Sequence, residues 1–148
     1  MIRAYLLLLW CCWVVAPLFA QDTIQMQKVR GVYQVPCNIN GASIDMVFDT
    51  GATSVILPQA VARKLFATKN LLEGDVLGRG KASTANGKIS HTTVNIRNLT
   101  VGKVQLKDVR ALIIAGNSSS VLLGQSAIEK LGRITLESSR LIVHHPNR

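Results

Sequence analysis

Apolar and polar residues alternate in short runs from Val29 almost to the end of the chain. Alternation with a period of two is typical of β-strands that bury one face, and residue pairs with a high turn propensity separate the runs. The pairs are Asn40-Gly41, Asn86-Gly87 and Gly102-Lys103, and asparagine followed by glycine favours the positive φ angles of a tight hairpin. The pattern therefore predicts a set of short antiparallel strands.

The same pattern separates core positions from irregular segments. Ile44, Met46 and Phe48 share one face of a strand and are predicted to line the core. Val109 to Ile114 is largely apolar on both faces, which is typical of an interior strand. The polar, glycine-bearing segment Glu73 to Gly80 is predicted to be a loop.

Two segments are predicted to be helical. Pro58 is placed to open a short helix with apolar residues at helical spacing, namely Val61, Ala62, Leu65 and Phe66. Gln125 to Leu131 predicts a second short helix, closed by Gly132. Two strands near Ile134 and Val143 complete the chain, so the predicted fold class is all-β with one or two short helices.

The first twenty residues differ from the rest of the chain. Arg3 precedes a nearly unbroken apolar run that ends at Ala20, and polar residues follow. This layout is that of a secretory signal peptide, and retention of the run as a membrane anchor is the alternative. We therefore expect residues 1–20 to be a signal peptide or anchor, 21–30 a lead-in, and 31–148 one domain, exported to the periplasm or the cell exterior.

Without residues 1–20 the chain keeps one cysteine and remains basic. Cys37 has no cysteine partner, so an internal disulfide is excluded, and a buried apolar role is favoured over that of a nucleophile. Sixteen Lys and Arg stand against eight Asp and Glu. The charges are scattered singly, without the runs or interleaved aromatic residues of a nucleic-acid groove, so no nucleic-acid partner is predicted.

One short motif carries chemistry. The alternating strand from Ile44 to Phe48 runs directly into Asp49-Thr50-Gly51-Ala52. An isolated Asp-Thr-Gly is weak evidence, because strand-ending turns often contain Asp and Gly for conformational reasons. Period two, however, puts Asp49 on the face opposite to Phe48, and Gly51 lets the backbone turn sharply and brings amide groups close to the carboxylate. These residues predict a carboxylate held at the end of a rigid strand.

From about Gly31 to Val143 the sequence resembles the retropepsin-like aspartic peptidases, and in particular their small exported bacterial members. The shared order is a strand into Asp49-Thr50-Gly51-Ala52, a flap-like hairpin at Ala85-Asn86-Gly87, and Leu122-Leu123-Gly124 before a short helix. The resemblance implies a single retropepsin-like lobe. It also implies that Gly87 lies at the flap tip and that the Leu-Leu-Gly run packs beneath the catalytic loop.

The resemblance further implies an aspartic endopeptidase that needs two carboxylates and no cofactor or metal. One ionised and one protonated aspartate hold a water molecule, which attacks the peptide carbonyl of a peptide or protein substrate. The sequence contains one Asp-Thr-Gly, so the second carboxylate is expected from Asp49 of another copy in a two-fold homodimer. Thr50 would then clasp the loop of the second copy.

Two other functions stay open. The first is a catalytically silent module of the same fold, which would bind extended peptides by strand pairing. The second is a basic structural protein that binds the cell envelope, and the net charge of the chain is the one feature that supports it. A membrane partner is expected only if the N-terminal segment is retained. The three histidines, His91, His144 and His145, form no metal-ligating pattern in the sequence, so no metal site is predicted.

Overall fold

A computed structural model describes residues 21–84, 87–116 and 119–145, and the predicted signal peptide or anchor lies outside them. The described strands are β1 (Gln21–Gln25), β2 (Gln27–Val29), β3 (Val32–Ile39), β4 (Ala42–Phe48), β5 (Val55–Pro58), β6 (Val76–Thr84), β7 (Gly87–Val101), β8 (Val104–Ile114), β9 (Val121–Leu123), β10 (Arg133–Glu137) and β11 (Arg140–His144). The helices are α1 (Gln59–Ala67) and α2 (Gln125–Leu131), and a 3₁₀ turn spans Glu73–Asp75. The predicted mostly-β class is confirmed.

The strands form two sheets. The larger has the order β2-β3-β4-β9-β5-β8-β7-β6. Because β3 also pairs with β7, a closed ring of paired strands is formed by β3, β4, β9, β5, β8 and β7. The smaller is the antiparallel sheet β1-β11-β10. Short β9 runs parallel to β4 and antiparallel to β5. It therefore lies between the strand that enters the Asp49 loop and the strand that leaves it.

One aliphatic core fills the space between the sheets and the helices. Met46 has no exposed surface, and Ile44 and Phe48 are partly buried and pack against the same core, as predicted. Removal of aliphatic side chains from water stabilises the fold by about 25 cal/mol per Å² of apolar surface. Other fully buried members are Val35, Ile39, Val55, Leu57, Val94, Ile96, Leu99, Val101 and Leu123.

Several local predictions are confirmed. Asn40 and Gly41 have φ angles of 48° and 100° and connect β3 to β4, as a tight hairpin requires. Helix α2 spans the predicted residues, and Gly132 ends it with a φ of 77°. In α1 the buried residues are Ala62 and Leu65. Pro58 is the last residue of β5 and precedes the helix as its N-cap instead of forming its first turn.

Two segments are more ordered than the pattern predicts. The loop prediction for Glu73 to Gly80 is wrong beyond the 3₁₀ turn, because Val76 to Gly80 belong to β6 and pair with β7. A bulge between Val76 and Gly78 and the glycines at 78 and 80 interrupt the alternation there, which hides the strand. The predicted lead-in, residues 21–30, contains β1 and β2, and β1 pairs with the C-terminal β11.

Candidate active site

Asp49 lies where β4 ends and its loop begins. The Asp49 amide donates a hydrogen bond to the carbonyl oxygen of Leu123 at 3.1 Å, which extends the parallel pairing of β4 with β9 by one step. The residue is half-buried, so its carboxylate is held by the sheet and still reaches the surface. A side chain at the end of a buried strand is positioned more exactly than one on a free loop.

The first contact of the carboxylate is with its own loop. The Gly51 amide donates to Asp49 Oδ1 at 2.9 Å. A Cβ atom at position 51 would lie 3.2 Å from the same oxygen, and the φ angle of Gly51 is outside the left-handed region. The backbone turns at Thr50 and Gly51, and the absence of a Cβ atom at Gly51 leaves room for the close approach of its amide to the carboxylate.

The loop is tied to the start of α2 by hydrogen bonds. Gln125 donates from Nε2 to the Thr50 carbonyl at 3.0 Å and from its backbone amide to the Ala52 carbonyl at 2.8 Å. The Ser126 amide donates to the Thr53 carbonyl at 3.2 Å. Three donors at the start of α2 thus hold three carbonyl groups of the loop, which lowers the conformational freedom of the carboxylate.

Gly124 makes this contact possible. A Cβ atom at position 124 would lie 2.2 Å from the Ser54 carbonyl oxygen and 2.7 Å from that of Ala52. Both neighbours are backbone atoms, so no side-chain rotation relieves the overlap. Leu122 and Leu123 pair with Val47 and Phe48 in β4. The structure thus places the Leu-Leu-Gly run against the Asp49 loop.

Sequence reasoning missed the roles of Gln125 and Ser126. Ser126 Oγ accepts from the Val55 amide at 2.9 Å and donates to the Arg110 carbonyl at 2.8 Å, so it bridges β5 and β8 behind the loop. A signal was present, because two polar residues directly follow Leu-Leu-Gly at the start of a helix. The partners of the Ser126 hydroxyl are 16 and 71 residues away and that of the Gln125 side chain is 75 residues away, which no local pattern reveals.

A row of side chains connects Asp49 with the hairpin of β6 and β7. Opposed residues of paired strands share a sheet face, and alternate residues along a strand return to it. The row runs along one face through Val47, Leu122, Ile56, Leu112 and Thr93. Val47 is buried and the other four are half-buried. A partly open, mostly apolar surface therefore extends from the carboxylate towards the hairpin.

The predicted flap is a hairpin of two paired strands. Thr84 pairs with Gly87, whose φ is 108°, and the predicted tip residues Ala85 and Asn86 lie outside the described residues. Further down, the His91 ring lies across Gly80, where a Cβ atom would be 3.0 Å from two ring atoms. The glycine therefore accommodates the imidazole. His91 Nδ1 is buried and has no hydrogen-bond partner among the described residues.

The remaining acidic residues are separated from Asp49. Asp45 shares its strand and face but is four residues away, or about 13 Å in extended chain. Asp22, Asp75, Asp108 and Glu137 contact His145, Arg97, Asn95 and Arg140 respectively. No three His, Cys, Asp or Glu side chains within the described ranges are arranged to hold a metal ion. Neither α1 nor α2, the helices of that part, is long and apolar enough to span a membrane.

Comparison with known proteins decides the family. Residues 35–130, about two thirds of the chain, match the family described as "gag-polyprotein putative aspartyl protease". The chain belongs to this aspartyl protease family. Asp49, its loop and the Leu-Leu-Gly run all lie inside the family match.

The chain is also similar to two other proteins. The chain resembles the retropepsin-like aspartic protease from Rickettsia conorii with a TM-score of 0.63 and 21% identity, over 83% of this chain and 98% of that one. At this identity the likeness shows the fold, which is retropepsin-like as expected. A Sinorhizobium protein, named "Uncharacterized protein in cobV 5'region", is 24% identical over 122 residues. The match covers 82% of this chain, which spans about half the length of that relative.

Proposed function

We propose that the protein is an aspartic endopeptidase whose active site is formed by Asp49 from each of two copies. The observation that carries the proposal is the position of the Asp49 carboxylate at the end of the β4–β9 strand pair. Its Oδ1 accepts a hydrogen bond from the Gly51 amide at 2.9 Å. Family membership supplies the reaction class. The apolar row beside Asp49 suits the binding of an extended peptide.

The count of carboxylates supports a homodimer. A shared-proton pair needs two carboxyl groups in direct contact, and Asp45, the nearest acidic residue along the strand, is about 13 Å away in extended chain. The Thr50 hydroxyl makes no hydrogen bond within the described part of the chain, and Thr50 is exposed. A hydroxyl beside the carboxylate with an open donor and acceptor is suited to clasp a second copy.

In the proposed reaction the two Asp49 carboxylates hold one proton and one water molecule between them. The ionised group removes a proton from the water as its oxygen attacks the peptide carbonyl, and the protonated group donates to the developing oxyanion. The carboxyl group that took the proton from water then passes it to the nitrogen of the departing amine as the C–N bond breaks, and the other carboxylate recovers a proton from a hydroxyl of the tetrahedral intermediate. In each copy, the hydrogen bonds of the Asp49 loop to Gln125 and Leu123 keep the carboxylate in place during these proton transfers.

The test compares Asp49→Asn with Asp45→Asn in the full chain. Asn at position 49 preserves size but cannot act as the base, so cleavage of a mixed peptide library should fall at least a thousandfold, by mass spectrometry of the products. Asp45→Asn removes one charge from the same strand and face and should leave cleavage within about twofold. Equal cleavage by wild type and Asp49→Asn would refute the catalytic role. Peptide binding without any cleavage by wild type would favour the peptide-binding module.

The homodimer is tested by dilution. Specific activity should fall as the protein is diluted below the dissociation constant of the dimer. Sedimentation should show the change from dimer to monomer over the same concentrations. Thr50→Ala should weaken association about tenfold, whereas Thr50→Ser, which keeps the hydroxyl, should restore it. A monomer that keeps full specific activity at every dilution would exclude the shared site.

Export is a separate proposal. It rests on the apolar run of residues 1–20 and its polar flank. N-terminal sequencing of the protein recovered from a bacterial periplasm should begin at Gln21 if the segment is removed. Recovery only from the membrane fraction, with Met1 retained, would establish the anchor instead.

A further inference from the structure

The outer strand of the flap hairpin, β6, is an edge with open backbone groups. The larger sheet has β2 and β6 as its edges, and the smaller has β1 and β10. β6 has nine residues, against three in β2 and five in each of the others. A strand at a sheet edge presents unpaired N–H and C=O groups along one side, which an extended peptide can satisfy by pairing. β6 offers the longest such template in the described chain.

The charged residues of β6 are all positive. Between Val76 and Thr84 the charged residues are Arg79 and Lys81, and no acidic residue is present. Both side chains are exposed, and neither has an ion-pair partner within the described ranges. Their spacing of two puts them on one face of the strand. The edge therefore presents two cations about 7 Å apart to any strand that pairs with it.

A cavity lies beside the two cations. It has a volume of about 560 Å³, and its walls include Gln59, Arg79, Lys81, Ser90, Thr92 and Ile113. Arg79 pairs with Thr92, Lys81 with Ser90, and Thr92 with Ile113. In β7 and β8, Thr92 and Ile113 alternate with Thr93 and Leu112, which belong to the row on the Asp49 face. The cations and hydroxyls therefore lie on the back of the hairpin, away from the proposed substrate surface.

Apolar side chains extend the edge towards the start of β6. Leu77 is 56% exposed and Val76 is 36% exposed, although both are large aliphatic residues. Exposed charges on an edge strand commonly prevent aggregation, and that function alone would account for Arg79 and Lys81. It does not account for the exposed aliphatic pair next to them or for the cavity beside them. Open backbone, two cations, a cavity and an apolar end together fit one type of ligand.

We propose that the edge of β6 is a docking site for an extended acidic peptide segment. The segment would add as a further strand, and its carboxylates at alternate positions would pair with Arg79 and Lys81. An apolar residue of the segment would cover Leu77. This site does not depend on cleavage at Asp49, because it lies on the opposite face of the hairpin.

The binding experiment uses the full-length Asp49→Asn protein, so that the probe is not consumed. The probe is a fluorescein-labelled octapeptide with Glu at alternate positions and Val or Thr between them, and its control has Gln for every Glu. Fluorescence anisotropy should show at least tenfold tighter binding of the Glu peptide. Similar affinity for both peptides, or no binding of either, would overturn the proposal.

Paired variants distinguish the edge from general attraction to a basic protein. Arg79→Gln with Lys81→Gln should weaken binding of the Glu peptide about tenfold. Lys103→Gln with Lys107→Gln removes the same charge from exposed positions of another hairpin and should change binding by less than twofold. Equal losses in the two double variants would identify non-specific electrostatics and exclude the site.

Amide hydrogen exchange tests the pairing mode. Addition of a strand should slow exchange of amides in Val76–Thr84 and leave those of the other edge of that sheet, Gln27–Val29, unchanged. The same measurement on the Arg79→Gln, Lys81→Gln variant should show no slowing at the same peptide concentration. Slowing confined to the Asp49 loop would place the peptide in the proposed active site and refute docking on β6.

Discussion

The Asp49 loop and the β6–β7 hairpin, the predicted flap, are held in place in different ways. The loop is held by the Leu123 carbonyl, by two donors of Gln125 and by the Ser126 amide, and it lies against a glycine with no room for a methyl group. Among the described strands, β6 pairs with β7 alone, and β7 pairs with β8 only from His91 onward. The loop is therefore fixed from several sides, whereas the hairpin beyond His91 is held by the pairing of its own two strands.

The difference follows from what each region must do in the proposed reaction. A carboxylate that activates water has to be positioned before the substrate arrives, because disorder in the site raises the barrier. A flap has to admit and release a peptide, so low local stability is an advantage there. We therefore expect substitutions in the loop or at the base of the hairpin to lower global stability, whereas substitutions at the far end of the hairpin should act on turnover.

The largest effect is expected from Gly124→Ala. The new methyl carbon would overlap the Ser54 carbonyl oxygen, which lies 2.2 Å from its position, and backbone must move to relieve the contact. We expect a loss of about 3 kcal/mol in the free energy of unfolding, measured in urea. Gly74→Ala is the control, since no atom lies within 4 Å of the added carbon. Equal stability of the two variants would mean that the loop is not tightly held.

The base of the hairpin should respond less strongly. Buried Asp75 forms an ion pair with Arg97 and accepts from the Leu72 amide at 2.8 Å, which joins the 3₁₀ turn before β6 to β7. Asp75→Ala leaves the amide unpaired, while Arg97, 37% exposed, can still be hydrated. We expect a loss of about 2 kcal/mol in unfolding free energy. Glu73→Ala, in the same turn but exposed, should change it by less than about 0.5 kcal/mol.

Substitution at the end of the hairpin should separate turnover from stability. Gly87 has a φ of 108°, which a β-branched residue does not adopt without strain. Gly87→Val should lower kcat about tenfold, because the strained end no longer closes correctly. Its unfolding midpoint should stay near that of wild type, since the end can open locally. Gly74→Val is the matched control, and unchanged kcat in Gly87→Val would place the flap elsewhere.

The smallest effect concerns Cys37, on the strand that pairs with both β4 and β7. Burial, and to a lesser degree the charge of Asp45, raises the pKa of this thiol from 9.0 to about 12. The unfolded thiol ionises above about pH 9 and the folded one does not, so stability is lost as pH rises from there towards 12.

The measurement for Cys37 is the change in unfolding free energy between pH 8 and pH 10. Wild type should lose about 1 kcal/mol more than Cys37→Ala across this interval, because the variant has no thiol to ionise. The thiol should also resist alkylation at pH 8 until urea unfolds the chain. Rapid alkylation of the folded protein would contradict burial of the strand that joins the two regions.

Much of the fold could be predicted because its causes are local. Asn40-Gly41 accepts two positive φ angles, alternation identifies the buried face of β4, and helical spacing identifies α1. The strand Val76–Gly80 was missed because glycines and a bulge replace the alternating side chains. Its strand geometry comes from pairing with β7, which supplies hydrogen bonds whatever the side chains are.

The sequence by itself determined the chemical type of the candidate site: a carboxylate at the end of a strand, followed by a loop that begins with Thr and Gly. The tertiary structure alone decided what holds that carboxylate. Parallel pairing of β4 with β9, the contacts of Gln125 and Ser126, and the space removed at Gly124 join residues that are far apart in the chain. Contacts between residues so distant in sequence depend on the whole topology. Closing a long loop of chain costs conformational entropy, and one contact offsets that cost only when many other contacts form at the same time.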